Sequence, residues 1–250
     1  MSKGNLTKYH TNKQPEPESN QNGFSIIIPV LNEADQINSL IRHLRNENHG
    51  SSYEIIVVDG DPQGSTVETI QDKYVTAITA DKGRGRQMNA GAAAACGEIL
   101  IFLHADTTLP ENALEKISRT LQNQDYVGGA FDLKIDSDRL FLRYISVRAS
   151  LRSRWNRIPY GDQAIFLRKK YFNQIGGFKE IPLMEDVDLM YRIKKDRKKI
   201  FILSDKVITS ARRWETDGVL YTTIRNQILV RLFYLGISPD RLAKYYWRRS

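Results

Sequence analysis

The chain of 250 residues holds one cysteine, Cys96, so no internal disulfide can form and the sequence suits a reducing compartment. Set behind the alanine run 92–95, Cys96 reads as a small buried residue of a helix. No apolar run approaches the ~18 residues that cross a bilayer, and residues 1–22 lack the hydrophobic stretch of a signal peptide, so the expected location is cytoplasmic. The aromatic and glycine pattern of an RNA-binding sheet is missing too, as is a helix-turn-helix, and nucleic acid is not an expected partner. Acids are absent from residues 139–157, where Arg139, Arg143, Arg148, Arg152, Arg154 and Arg157 fall. With a formal charge of +8 and a second basic cluster at 192–199, the remaining partners are phosphorylated small molecules or an anionic membrane surface.

What is present is an α/β pattern. Residues 1–22 form a polar arm expected to be disordered. Residues 24–30 and 53–60 are apolar runs, the second closing on Asp59, and between them Ile37, Leu40, Ile41 and Leu44 recur at helical spacing. Strand, helix, strand makes a βαβ unit with a right-handed crossover. The pattern then predicts a helix over 67–73, a strand over 74–79 and a central strand at 99–103 buried on both faces. A helix at 111–121 and an extended stretch at 126–133 follow, then a surface helix at 139–157 packed by one face. A turn at 160–163 leads into a strand, and a further short strand is expected at 199–203. One domain is expected over 23–215, with 216–250 as a C-terminal helical appendage. There Tyr245, Tyr246 and Trp247 beside Arg248 and Arg249 suit either a membrane interface or packing on the domain.

The central run ends in His104-Ala105-Asp106. Open α/β sheets bind ligands past the carboxyl ends of their strands, so an imidazole and a carboxylate there make half of a metal site and leave the remaining coordination to water and substrate. The other reading is that Asp106 caps the helix near Pro110. In the stretch 81–91, Met88 stands where a dinucleotide fingerprint needs glycine. Gly83 and Gly85 with the forked Arg84 and Arg86 suit a loop gripping a diphosphate, or a solvated basic turn. Glu185 and Asp186 open a helix, where the dipole favours negative charge, and two acids with Asp188 close behind exceed what capping needs.

Pro29 with Asn32-Glu33, the strand-end Asp59, the His104-Ala105-Asp106 form of an Asp-x-Asp motif, Glu185-Asp186 and Arg213-Trp214 occur in a telling order. Over about residues 24–214 the chain resembles family 2 glycosyltransferases with the GT-A fold. Segments 83–91, 160–163, 182–186 and 210–214 resemble a bacterial subgroup of that family whose substrates are largely unassigned. The resemblance implies a GT-A fold of the α/β class, with a central, mixed, mostly parallel sheet flanked by helices. It implies that Pro29, Asn32 and Glu33 line the nucleotide pocket and that Asp59 meets the base. Arg84, Gln87, Asp106, Arg213 and Trp214 would lie along the nucleotide sugar. His104 and Asp106 would hold Mg²⁺ or Mn²⁺ against the donor diphosphate, with Asp186 as general base and Glu185 beside it. Three departures limit the transfer: Ser210 stands where the family has Gln, His104 where it has Asp, and residues 61–65 where it has a Gly-Ser-rich turn.

The activity implied is an inverting, hexosyltransferase-like transfer from a nucleotide-diphosphate donor to an acceptor hydroxyl. The departing diphosphate develops negative charge that a cation and arginines stabilise. A neutral His104 favours Mn²⁺ more than an all-oxygen site would. One carboxylate in reach of the acceptor suffices to take its proton, and direct displacement needs no second carboxylate as nucleophile. Two alternatives stay open. A nucleotidyltransferase making the nucleotide sugar would normally carry a glycine-rich loop where this chain has Leu31-Asn32-Glu33-Ala34. A non-catalytic nucleotide-binding or membrane-associated protein would keep the fold alone. If the 139–157 helix and the aromatic tail form one basic, apolar face, the acceptor is lipid-linked or membrane-borne and the protein is peripheral to the inner face of the membrane.

Overall fold

Successive side chains of a strand point to opposite faces, so a strand that is apolar throughout needs cover on both. In the computed structural model, which describes residues 23–47 and 51–246, the apolar runs receive that cover. The arm 1–22 and the tail residues Trp247, Arg248 and Arg249 lie outside the described residues. The strands are β1 (Phe24–Val30), β2 (Tyr53–Asp59), β3 (Val75–Thr79), β4 (Ile99–Phe102), β5 (Thr107–Thr108), β6 (Tyr126–Asp136), β7 (Ile165–Arg168) and β8 (Lys199–Ser210). They form one sheet in the order β3-β2-β1-β4-β7-β6-β8-β5. β3, β2, β1 and β4 run parallel, as do β6 and β8, whereas β7 is antiparallel to both β4 and β6 and β5 is antiparallel to β8. The sheet is mixed and mostly parallel, as the resemblance implied.

The helices are α1 (Ala34–Glu47), α2 (Arg84–Ala94), α3 (Ala113–Leu121), α4 (Leu140–Asn156), α5 (Lys169–Gln174), α6 (Glu185–Lys195), α7 (Arg212–Asp217), α8 (Val219–Tyr234) and α9 (Pro239–Tyr246). Ile26, Ile28, Ile55, Val57 and Ile101 pack with Ile37 and Leu44 of α1 and Leu114 and Ile117 of α3 on one face. Ile27, Ile56, Val58, Leu100 and Phe102 meet Met88 of α2, Phe172 of α5 and Leu189 of α6 on the other. Each fully buried Ile or Leu contributes about 1.5–3 kcal/mol. Gly91 lets α2 approach the sheet, since a Cβ there would stand 2.4 Å from Ile27 Cγ2. Met184 and Val187 at the start of α6 form a third cluster with Leu229, Leu242 and Tyr246, which seats α8 and α9 on α6.

Four sequence expectations are corrected. The helix expected over 67–73 is one turn, Val67–Thr69, because Asn38 of α1 captures the chain, donating to Thr69 O and accepting Gln71 N–H, and Ile70 is extended. The strand expected at 199–203 continues to Ser210. Its register against β6 jumps from Phe131–Leu203 to Asp132–Lys206, so a bulge absorbs Ser204 and Asp205 where the strand was expected to have ended. The stretch at 84–86 is the first turn of α2 and not a loop. Cys96 lies beyond α2 and is exposed, its N–H donating to Glu54 Oε1 at 2.5 Å.

Candidate active site

Because β1, β2 and β4 are parallel, Val30, Asp59 and Phe102 end on one edge of the sheet and the loops after them share a crevice. Pro29 is buried in β1 opposite Val58. Asn32 makes the turn after β1 in the left-handed region, at φ 58, and is exposed. The N–H of Glu33 donates to Thr66 Oγ1 at 3.1 Å, and its carboxylate accepts Arg212 Nη2 at 3.0 Å, so this loop is tied to the loop after β2 and to α7.

Asp59 is fully buried. Its oxygens accept the N–H groups of Asp61 at 2.9 Å, Thr66 at 2.8 Å and Val67 at 3.3 Å. It therefore shapes the loop after β2, at the position where the resemblance implied contact with a base. Gln87 is likewise buried and bridges strand ends, Nε2 donating to Val30 O at 2.7 Å and Val58 O at 2.8 Å. Trp214 packs partly buried against the core.

The crevice itself gathers groups from five segments. Met184, left-handed at φ 71 and buried, turns the chain so that α6 begins with Glu185 and Asp186 facing the end of β4. Such a conformation costs a non-glycine residue about 1–3 kcal/mol and persists only where packing over-determines it. The N–H of Gly161 donates to Asp186 Oδ2 at 2.6 Å, and that of Val187 to Oδ1 at 2.7 Å. A Cβ on Gly161 would lie 2.8 Å from His104 Nε2 and 3.3 Å from Asp186 Oδ2, so imidazole and carboxylate stand within 3.3 Å of one point. Only glycine fits between them. Arg84 faces the same acids from the exposed start of α2: desolvation opposes its charge, and Glu185, Tyr246, Asp186 and Asp106 outweigh that opposition. Arg86 instead pairs with Glu180 at 3.2 Å, outside this group. Arg213 donates to Tyr246 Oη at 2.6 Å, and its charge acts on His104 and on Asp162, so α9 braces an arginine of the crevice.

Electrostatics follow from crowding. Burial, and then the charges of Arg84 and Arg213, push the His104 pKa well below its ordinary value, leaving a neutral imidazole. Its ring nitrogens make no hydrogen bond among the described residues. Burial and then Asp186 raise the pKa of Glu185, against the opposing charge of Arg84. Sequence reasoning misses Asp162, which falls in the turn expected at 160–163. Burial chiefly, then Asp186 and Asp106, outweigh Arg152 and Arg213 and raise it to about 6. Arg152 stacks 3.4 Å from the Tyr160 ring centroid, and its Nη1 is buried with no partner among the described residues. Ala164, left-handed at φ 47, closes this turn, and Gln163 anchors it by donating to Phe131 O at 2.7 Å. No local signal marks these roles beyond an acid after glycine ahead of a strand.

Among the described residues no three His, Cys, Asp or Glu side chains gather closely enough to cage a metal. The donors fit a partly protein-held divalent cation nonetheless. Among the described residues the neutral imidazole has no partner and the Asp106 carboxylate receives only Thr107 Oγ1 at 3.3 Å, which leaves lone pairs free. Two neighbouring acids, Glu185 and Asp162, have raised pKa values, a crowding of negative charge that a cation would relieve.

Residues 25–181 match the family described as glycosyl transferase family 2. The chain is 30% identical over 105 residues to a dolichol-phosphate mannosyltransferase of Pyrococcus furiosus, a match covering 40% of this chain and 30% of that one. It is 30% identical over 201 residues to a PGL/p-HBAD biosynthesis glycosyltransferase of Mycobacterium bovis, covering 69% of this chain and 66% of that one. The chain thus spans under a third of the first relative's length. The structure of the mannosyltransferase PcManGT from Pyrobaculum calidifontis in complex with GDP-Man and Mn²⁺ aligns with a TM-score of 0.56 at 21% identity, over 74% of this chain and 56% of that one. The likeness is one of fold, the GT-A arrangement.

Proposed function

The chain belongs to glycosyl transferase family 2, and on that premise we propose that it moves a sugar from a nucleoside-diphosphate donor to an acceptor hydroxyl with inversion, Asp186 acting as general base. The observation that carries this reading is the carboxylate of Asp186, clamped by two backbone N–H groups and set beside His104 at the end of β4. Clamping fixes the direction of its remaining lone pairs, which is what a base needs to meet one hydroxyl. The acceptor oxygen attacks the anomeric carbon, its proton passes to Asp186, and the bond to the donor diphosphate breaks with the electron pair leaving on the phosphate. Arg84 and Arg213 face the leaving charge from α2 and α7. Burial and the charge of Asp186 raise the pKa of Glu185, which disfavours a second full negative charge beside the base. His104 and Asp106 would hold Mn²⁺ or Mg²⁺, which when bound supplies Lewis-acid stabilisation of the diphosphate. Pro29, Asn32 and Glu33 would border the nucleotide, with Asp59, Gln87 and Trp214 acting through the loops they support.

The test is a panel of nucleotide sugars, scored by saturation-transfer binding and by nucleoside diphosphate release with Mn²⁺, with Mg²⁺ and in chelator. One donor should bind at least tenfold better with metal and be hydrolysed slowly without acceptor. Failure of every donor to bind in the presence of metal would overturn the proposal. A nucleotidyltransferase would instead release pyrophosphate from a nucleoside triphosphate.

A further inference from the structure

Helix α4 is packed inside out. Residues 142, 146, 150 and 153 share its buried face, and three of them are serines. The reason lies in β6, which pairs with β7 only at Gly128 and Gly129. Beyond them its free N–H groups need acceptors, and Ser150 Oγ takes Leu133 N–H at 3.0 Å while Ser146 Oγ takes Ile135 N–H at 2.9 Å. Arg154 also turns inward, donating to both oxygens of buried Asp132 at 3.0 and 2.6 Å. Hydrogen bonding thus claims the polar side of the helix.

The opposite side carries Leu140, Phe141, Tyr144, Val147, Leu151 and Trp155, all exposed, with Leu140 at 78% and Trp155 at 91%. At about 100° per residue these fall on one stripe facing away from the serines. Arg139, Arg143, Arg148 and Arg157 are exposed around it and form no ion pair among the described residues, and residues 139–157 hold no acid. Helix α8 repeats the pattern: Leu220, Ile224 and Ile228 are exposed at every fourth position, Arg231 shares their side, and the helix holds no acid.

We infer that the outer face of α4 docks on a lipid bilayer bearing anionic headgroups. Charge decides among the occupants of such an apolar face. A second copy of this chain would set arginine against arginine across a two-fold interface. An anionic bilayer offers the opposite charge to the arginines and an apolar layer to Leu140, Leu151 and Trp155, whose exposure to water is unfavourable. The surface adjoins the crevice, because Arg152 of the same helix stacks on Tyr160 beside Gly161 and Asp162. Docking there would bring a membrane-borne acceptor alongside the candidate base. The docking itself does not depend on the glycosyltransferase reading.

The experiment is co-sedimentation of the full chain with vesicles of phosphatidylcholine alone or with phosphatidylglycerol, in chelator and without donor. Binding is expected only to the anionic vesicles, falling about fivefold for each arginine removed from the face and weakening with added salt. Arg143→Glu with Arg148→Glu should lower binding more than tenfold, and Leu151→Ser with Trp155→Ser should lower it at constant charge. Both doubles change exposed residues and should keep the wild-type melting temperature and donor binding. Absence of wild-type binding at low salt, or equal binding by the charge-reversed variant, would overturn the inference. So would a concentration-dependent dimer that the apolar double abolishes while vesicle binding stays unchanged.

Discussion

Replacing Asp186 by asparagine separates a structural from a chemical role. The aspartate gives one oxygen to Gly161 N–H at 2.6 Å and the other to Val187 N–H at 2.7 Å. Asparagine has one carbonyl oxygen, so in either flip one N–H meets an amide NH₂ and loses its acceptor. An unmet buried donor costs about 1–3 kcal/mol, and Asp186 is partly open to water, which puts the cost near the low end. For a chain of this size the melting temperature falls about 2–4 °C per kcal/mol, so a drop of a few degrees is expected. Loss of a general base typically costs about 10²–10⁴ in rate, about 3–5 kcal/mol of barrier. The two effects separate, since a folded fraction near unity leaves kcat untouched by a small loss of stability. Calorimetry and nucleoside diphosphate release, with the donor chosen from the panel, should show Asp186→Asn melting a few degrees lower and turning over at least a hundredfold slower, with donor KM within a few-fold. A kcat within threefold of wild type, at unchanged KM, would refute the assignment of the base.

Two further outcomes follow from Asp162, half-buried, and Asp132, buried. Asp162 holds its proton to about pH 6 in the folded protein against an ordinary value of 3.8, so between those values the folded state carries a proton the unfolded chain has lost. Stability from this group is therefore fully present below 3.8, falls as pH rises towards 6 and is lost above it. Urea midpoints in chelator should show a shallower decline over that window for Asp162→Asn than for wild type, and parallel profiles would count against the raised pKa of Asp162. Arg154→Ala strips Asp132 of both its hydrogen bonds inside β6 and should cost about 1–3 kcal/mol in urea denaturation. Arg143→Ala, which touches no acid, should cost almost nothing, and equal losses would sink the distinction.

Legibility varied with the range of the interactions involved. The strands β1, β2 and β4 were readable because burial on both faces demands unbroken apolar runs, and α1 because its four buried positions follow the helical period. The turn at 67–69 reads as a longer helix since nothing local announces that Asn38, 31 residues away, captures the carbonyl of Thr69. Helix α4 is legible in place but not in orientation: apolar residues ordinarily point inward, and only the free N–H groups of β6 explain why serines do so here.

By itself the sequence determined a mostly parallel α/β sheet and the placing of His104, Asp106, Glu185 and Asp186 at element ends, because such features depend on periodicity and on residue type along a few turns of chain. Tertiary structure alone decided that Gly161 is wedged between His104 and Asp186, that Asp162 joins them, and that Asp59 and Gln87 face inward as supports. Those outcomes rest on contacts between segments tens of residues apart, and a side chain's partner across such a gap is set by how the sheet folds the strand ends together.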